Sequence, residues 1–166
     1  MHLPVPAVFI LLLFLASTAH AQADRRSPSV EGIAGHAAFL DEEPIDHFVL
    51  GGAWRYPLSP RVSVGPEVTY MIGPGRDRDL FLTGDIWFDF VAPRPDRVRR
   101  ATPYLVAGAG LMRHDDEFID FTAYEWAFTG GIGVRVALND RWYLAPEARL
   151  GWEPHSRLSV GVGYRF

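Results

Sequence analysis

The sequence predicts an all-β chain: an eight-stranded antiparallel up-and-down transmembrane β-barrel that follows a cleaved signal peptide. Three observations carry that expectation. In the final segment Leu158, Val160, Val162, Tyr164 and Phe166 share one parity, and Ser159, Gly161, Gly163 and Arg165 share the other. Side chains of a strand alternate between faces, so this segment has one apolar face and one small or polar face, as a strand between lipid and a lumen requires. Runs of the same kind recur eight times between clusters of Pro, Gly, Asp and Arg. Beyond the N-terminal apolar segment, no stretch has the length or periodicity of a membrane-spanning helix.

Residues 1–21 read as a signal peptide, with an apolar core from Val5 to Ala16 and a small-x-small site at Ala19-His20-Ala21. Cleavage is expected after Ala21, with Ala23 as the alternative. The apolar run is shorter than the ~20 residues of a spanning helix, which favours cleavage over anchoring. Residues 22–29 form a polar lead, and the barrel is expected over 30–166.

The first strand is expected at about Val30–Leu40, with Ile33, Ala37 and Phe39 outward and Gly32 and His36 inward. Asp41-Glu42-Glu43-Pro44 closes it. The second, Asp46–Leu58, presents Phe48, Leu50, Trp54 and Tyr56 to lipid and Val49, Gly51, Ala53 and Arg55 to the lumen. Ser59-Pro60 is a tight turn. The third, Arg61–Gly73, sets Val62, Val64, Val68, Tyr70 and Ile72 against Ser63, Gly65, Glu67, Thr69 and Met71. The loop from Gly73 to Asp77 leads to the fourth, Asp79–Val91, with Leu80, Leu82, Ile86, Phe88 and Phe90 outward and Thr83, Asp85, Trp87 and Asp89 inward.

A longer, arginine-rich connection runs from Ala92 to Thr102. The fifth strand, Pro103–Arg113, places Leu105, Ala107, Ala109 and Leu111 outward and Gly108 and Gly110 inward. The sixth, about Phe121–Leu138, sends Trp126, Phe128, Ile132, Val134, Val136 and Leu138 outward against Glu125, Thr129, Gly131, Gly133 and Arg135. After Asn139-Asp140 the seventh, Arg141–Trp152, sets Trp142, Leu144, Ala148, Leu150 and Trp152 against Tyr143, Glu147, Arg149 and Gly151. Aromatics gather towards strand ends, including Tyr56, Tyr70, Phe90, Tyr104, Tyr124, Trp126, Trp142 and Trp152, as two interfacial girdles require.

The formal net charge of −4 offers no footprint for nucleic acid. The chain has no Cys, which excludes disulfides, a thiolate nucleophile, a cysteine metal site and a lipid anchor on an N-terminal Cys. All 16 Lys/Arg positions are arginine. No cofactor is expected.

An eight-stranded barrel is just wide enough to be filled by side chains. The inward set of Arg55, Arg135, Arg149 and Arg165 nearly balances Glu67, Asp85, Asp89, Glu125 and Glu147. In a water-poor lumen such groups must pair, so an interior charge network that plugs the barrel is expected over a gated ion path. One internal echo stands out. Arg61, Pro66 and Glu67 repeat the spacing of Arg141, Pro146 and Glu147, each set following a strand with paired glycines, Gly51-Gly52 or Gly130-Gly131. Each proline removes a ladder hydrogen bond, so an irregularity is expected there. The echo fits either a repeated hairpin or chance.

Several motifs carry a resemblance: Pro103-Tyr104 followed by Gly108-Ala109-Gly110, the Gly130-Gly131-Ile132-Gly133 strand, and the terminal Tyr164-Arg165-Phe166. With them the mature chain resembles small Gram-negative outer-membrane barrels of the OmpA/OmpX-like eight-stranded group, the outer membrane protein β-barrel domain. The resemblance implies a place in the outer membrane among lipid and lipopolysaccharide. It implies Tyr164 and Phe166 as an assembly signal read by the barrel assembly machinery. No peptidoglycan-binding domain is expected after the barrel, and the oligomeric state is left open. The short far-side loops do not favour a receptor or adhesin.

Two other classes compete. In a lipid A-modifying enzyme, Glu153, His155 and Ser156 would be the nearest set, yet adjacent residues of an extended segment point apart and His155 cannot serve Ser156. His114 with Asp115 and Asp116 offers a cation site, for which a solvated acidic loop is the simpler account. A soluble periplasmic barrel of lipocalin type would turn the apolar band to water, which soluble monomers avoid.

Overall fold

The computed structural model describes residues 27–40, 45–75, 77–92, 100–116, 121–152 and 154–166. The expected signal peptide, most of the polar lead, the Asp41–Pro44 closure, most of the arginine-rich connection, Glu117 and Glu153 lie outside the described residues. Eight strands follow one another: β1 Ser29–Phe39, β2 Ile45–Pro57, β3 Val62–Ile72, β4 Asp77–Asp89, β5 Ala101–Asp116, β6 Phe121–Ala137, β7 Trp142–Gly151 and β8 His155–Arg165. Each pairs antiparallel with the next, and β1 closes on β8. Closure leaves no free sheet edge, the condition for a sheet to lie in hydrocarbon.

Both ends of the described chain lie at one rim, the near rim, where the amide of Phe166 donates to the carbonyl of Pro28 at 3.1 Å. Outward side chains form an apolar belt: Leu50, Val68, Leu82, Ile86, Leu105, Phe128, Ile132, Leu150, Leu158, Val160 and Val162 are all exposed on the wall. At the near rim Trp142 stacks edge-on to Tyr164 at 5.0 Å, and Tyr164 to Phe166 at 5.6 Å. Arg141 donates to the Tyr164 hydroxyl at 3.1 Å, giving the girdle a polar edge.

The face assignments of β2 to β8 follow the alternation of the sequence, and β1 departs from it. Ile33 and Ala37 are buried inside together with Glu31, whereas Gly32 and His36 face outward. Phe39 also packs inward, against the upper core. In a strand of small residues the glycines do not mark the lumen; the carboxylate does, because an unpaired Glu31 on the lipid face would cost several kcal/mol. Tyr104 departs too: it is fully buried in the lumen and takes no part in an interfacial girdle.

The internal echo is a repeated hairpin. In the β2–β3 turn the Ser59 hydroxyl accepts from the amides of Arg61 and Val62, at 3.3 and 3.1 Å. In the β6–β7 turn Asn139 Oδ1 accepts from Arg141 and Trp142, at 2.9 and 2.8 Å. Each turn also closes with two backbone bonds, to the carbonyl of Val62 and of Trp142 respectively. The prolines open matching gaps in the ladders. Pairing runs from Ala53↔Glu67 to Tyr56↔Val64, and from Gly133↔Glu147 to Val136↔Leu144, with the register unchanged across each gap. The irregularity is therefore a pair of missing bridges, with no bulge. At the first gap the backbones press together: a Cβ on Gly65 would collide with the carbonyl of Trp54.

Candidate functional site

The lumen is packed in layers, starting at the near rim with aromatic rings and two ion pairs. Arg55 binds Glu31 at 3.1 Å and lies over the rings of Trp87 and Tyr104, 4.4 and 5.1 Å from their centroids. Arg135 pairs with Asp89 and also lies over the Tyr104 ring, 5.3 Å from its centroid. Guanidinium planes suit this position because they are weakly hydrated and bind a carboxylate and a ring face together. Tyr143 donates to Ser29 at 3.1 Å. Its ring lies where a Cβ on Gly163 would stand, so the inward glycines of β8 leave room for larger side chains of the neighbouring strands.

The middle layer is built around Arg149. Its three guanidinium nitrogens each reach a different carboxylate: Glu147, Asp85 and Glu67, all at 2.6 Å. Arg157 lies beside it, bonded to Glu67 at 2.8 Å and Glu147 at 3.2 Å. Thr83 donates to Asp85 at 2.7 Å, and Tyr104 to Glu147 at 2.9 Å. Glu67 and Glu147, the matching acids of the repeated hairpins, thus hold the same two arginines from opposite walls. Above this network sits an apolar layer of Ala37, Val49, Met71, Phe81, Met112 and Ala127. Beyond it, at the far rim, stand His47, Asp77, Asp79 and His114.

Of the inward residues expected from the sequence, Arg55, Glu67, Asp85, Asp89, Arg135, Glu147 and Arg149 come together in the buried interior. Arg165 stays at the near rim, half-buried, over the Tyr143 ring at 5.0 Å. Glu125 does not join the network. Its parity is inward, but β6 pairs with β7 only from Thr129 onward, so Glu125 rises above the closed wall and is exposed. Tyr164 and Phe166 lie together in the near-rim girdle. Sequence reasoning missed Glu31, Arg157 and, at the far rim, His47, Asp77 and Asp79; it named His114 but set it with Asp115 and Asp116. Arg157 shares the parity of Ser159, and His47 that of Val49, so continuing the alternation would have found both.

Of the set considered for lipid A chemistry, His155 is buried, with rings of Phe39 and Phe81 at 5.2 and 5.3 Å, and Ser156 lies on the other face of β8. His114 turns towards Asp79, bonding Oδ1 at 2.6 Å. Asp115 instead pairs with exposed Arg113 at 2.7 Å.

Replacing Arg149 with Met leaves three buried carboxylates without their common partner. We expect a loss of about 3–5 kcal/mol in urea unfolding of the lipid-reconstituted barrel, because removing one member strands the others' charge. Replacing the exposed Arg113 by Ala is expected to change stability by less than about 1 kcal/mol.

Three solved structures share this architecture. Over 84% of this chain and 97% of its own, Neisserial surface protein A superposes with a TM-score of 0.71 at 18% identity. The N-terminal β-barrel domain of Pseudomonas aeruginosa OprF gives 0.64 at 17% identity, over 86% of this chain and all of its own. The outer membrane protein OprG of Pseudomonas aeruginosa gives 0.58 at 12% identity, over 87% and 98%. At these identities the likeness speaks to the fold alone. No curated protein sequence matches the chain. Residues 7–166 match the outer membrane protein beta-barrel domain family. The wall is closed and eight-stranded, apolar outside and charge-paired within, and the chain belongs to this family as an integral protein of the outer membrane.

Proposed function

We propose that the protein is a sealed, non-catalytic component of the outer membrane whose working surfaces are its lipid-facing wall and its far rim. One observation carries this reading: the lumen is filled from rim to rim. The Arg149–Arg157 network occupies the middle, and the apolar cluster of Val49, Met71, Phe81 and Met112 lies across it, with the buried His155 ring against Phe81. Ions crossing that layer would lose most of their hydration. The near rim, holding both ends of the barrel chain, faces the periplasm, and the far rim faces outward among lipopolysaccharide head groups. Residues 1–21 direct export and are removed.

The fused catalytic set needed for lipid A chemistry is not supported by the geometry, since His155 packs between Phe rings while Ser156 points away from the lumen. Tyr164 and Phe166, joined edge to face at the near rim, offer the barrel assembly machinery an aromatic pair that closes the last strand.

The expected result in planar lipid bilayers is no stepwise conductance above bare lipid from the purified barrel. Discrete openings of the wild-type protein would contradict a sealed lumen. For the assembly signal, Phe166→Ala is expected to reduce the folded, heat-modifiable protein in the outer membrane of cells while leaving detergent refolding intact. Equal loss in both settings would mean that Phe166 acts only through stability.

A further inference from the structure

We propose that the far rim holds a zinc-class divalent cation on His47, Asp77 and Asp79, a binding site separate from the interior network. The three donor atoms, His47 Nε2 and one carboxylate oxygen from each aspartate, lie within 4.8 Å of one another. His47 Nε2 is 2.9 Å from Asp77 Oδ2 and 3.4 Å from Asp79 Oδ2. With bonds of about 2.0–2.2 Å to nitrogen and oxygen, neighbouring ligands of a tetrahedral zinc stand about 3.3–3.6 Å apart. The two histidine–carboxylate spacings come within a few tenths of an ångström of that range.

The hydrogen bonding around the cluster points to the same atom positions. His47 Nδ1 lies 3.1 Å from the carbonyl of Ile45, which can only accept, so Nδ1 carries the proton. Nε2 also faces acceptors and, with no cation present, donates to Asp77 Oδ2 at 2.9 Å; a cation entering here would displace that proton and take the freed lone pair together with the two carboxylates. A carbonyl bonded to the remote ring nitrogen is the arrangement that fixes the tautomer of a metal-ligating histidine. Asp79 is only 1% exposed, and among the described residues its Oδ2 has no hydrogen-bond partner. Its other oxygen is taken by His114 Nδ1 at 2.6 Å, which orients Oδ2 towards His47. Two carboxylates and a neutral imidazole carry two negative charges, matching a divalent cation. The mixed nitrogen and oxygen donors suit zinc over calcium or magnesium, which take oxygen ligands.

The surrounding chain shapes the pocket. A Cβ on Gly73 would collide with the His47 ring and with Asp77 Oδ2, so glycine keeps the space beside the donors clear. Arg78 grips the carbonyls of Gly73 and Asp77, at 3.2 and 2.6 Å, and holds this loop in place without touching a donor oxygen. Phe39 lies against the His47 ring at 4.9 Å and forms the apolar floor. His114 is one-third exposed and Asp77 17% exposed, so entry is from the outer solvent. Zinc bound here would tie β2 to β4 at the mouth, with β5 joined through the His114 bond to Asp79.

The test uses the full barrel in detergent, stripped with EDTA, dialysed and titrated with zinc alone. We expect one zinc per chain by calorimetry and elemental analysis, and visible bands of low-coordinate cobalt when Co2+ replaces it. Asp79→Asn, nearly isosteric, and His47→Ala are each expected to abolish that binding. His114→Ala should weaken it about 10–100-fold, as loss of an orienting partner does. His36→Ala, whose exposed ring pairs with Asp46 at 3.1 Å away from the cluster, should leave stoichiometry unchanged. Heat-modifiable migration certifies that each variant is folded. Absence of zinc binding by the folded wild type, binding of Ca2+ in its place, or full zinc retention in folded Asp79→Asn would each overturn the proposal.

Discussion

Hydrocarbon on the outside decides the rest of this structure. A wall that must show apolar side chains to lipid leaves its charged residues one destination, a lumen too narrow to hydrate them. Those charges are stable there only in mutual contact, and the chain meets the condition with one hub. Arg149 directs its three nitrogens at three carboxylates from three strands, β4, β3 and its own. Arg157 shares two of the same acids from β8. The network therefore crosslinks the barrel across its axis, a bond pattern that the strand ladders alone do not supply.

Much of this was legible in the strand alternation, because most strands carry a charge or a glycine on one parity and branched or aromatic residues on the other. In β4, Asp85 and Asp89 label the inside as plainly as Leu82 and Ile86 label the outside. β1 was misread because Gly32, Ala34, Gly35, Ala37 and Ala38 weigh little on either face, leaving Glu31 as the one informative residue. Glu125 was misplaced for a different reason. Parity says which way a side chain points but not whether the neighbouring strand reaches that height, and β7 stops short of it. The far-rim cluster was hidden more deeply, since His47, Asp77 and His114 come from β2, β4 and β5, and only the register brings them to one level. Asp77 read as part of a loop.

The repeated hairpin gives the interior an approximate internal symmetry. Ser59 and Asn139 make the same turn by different side chains, and five residues of strand later Pro66 and Pro146 open the same gap, followed by Glu67 and Glu147. The two acids then meet the same arginines. A turn, a ladder defect and a charge network, three levels of structure, thus trace to one short sequence pattern. The apolar layer above the network separates it from the histidines and aspartates of the mouth, so the two polar regions answer to different surroundings.

The most direct measurement of the two-faced wall uses the absence of native cysteine, which allows single nitroxide labels without background. Labels placed one at a time from Leu158 to Val162 in the reconstituted barrel should alternate in accessibility to oxygen, high at Leu158, Val160 and Val162 where lipid lies. At Ser159 and Gly161 they should be low to both oxygen and a water-soluble relaxation agent. Accessibility to the aqueous agent at those two positions would contradict the account, as would oxygen accessibility without a period of two.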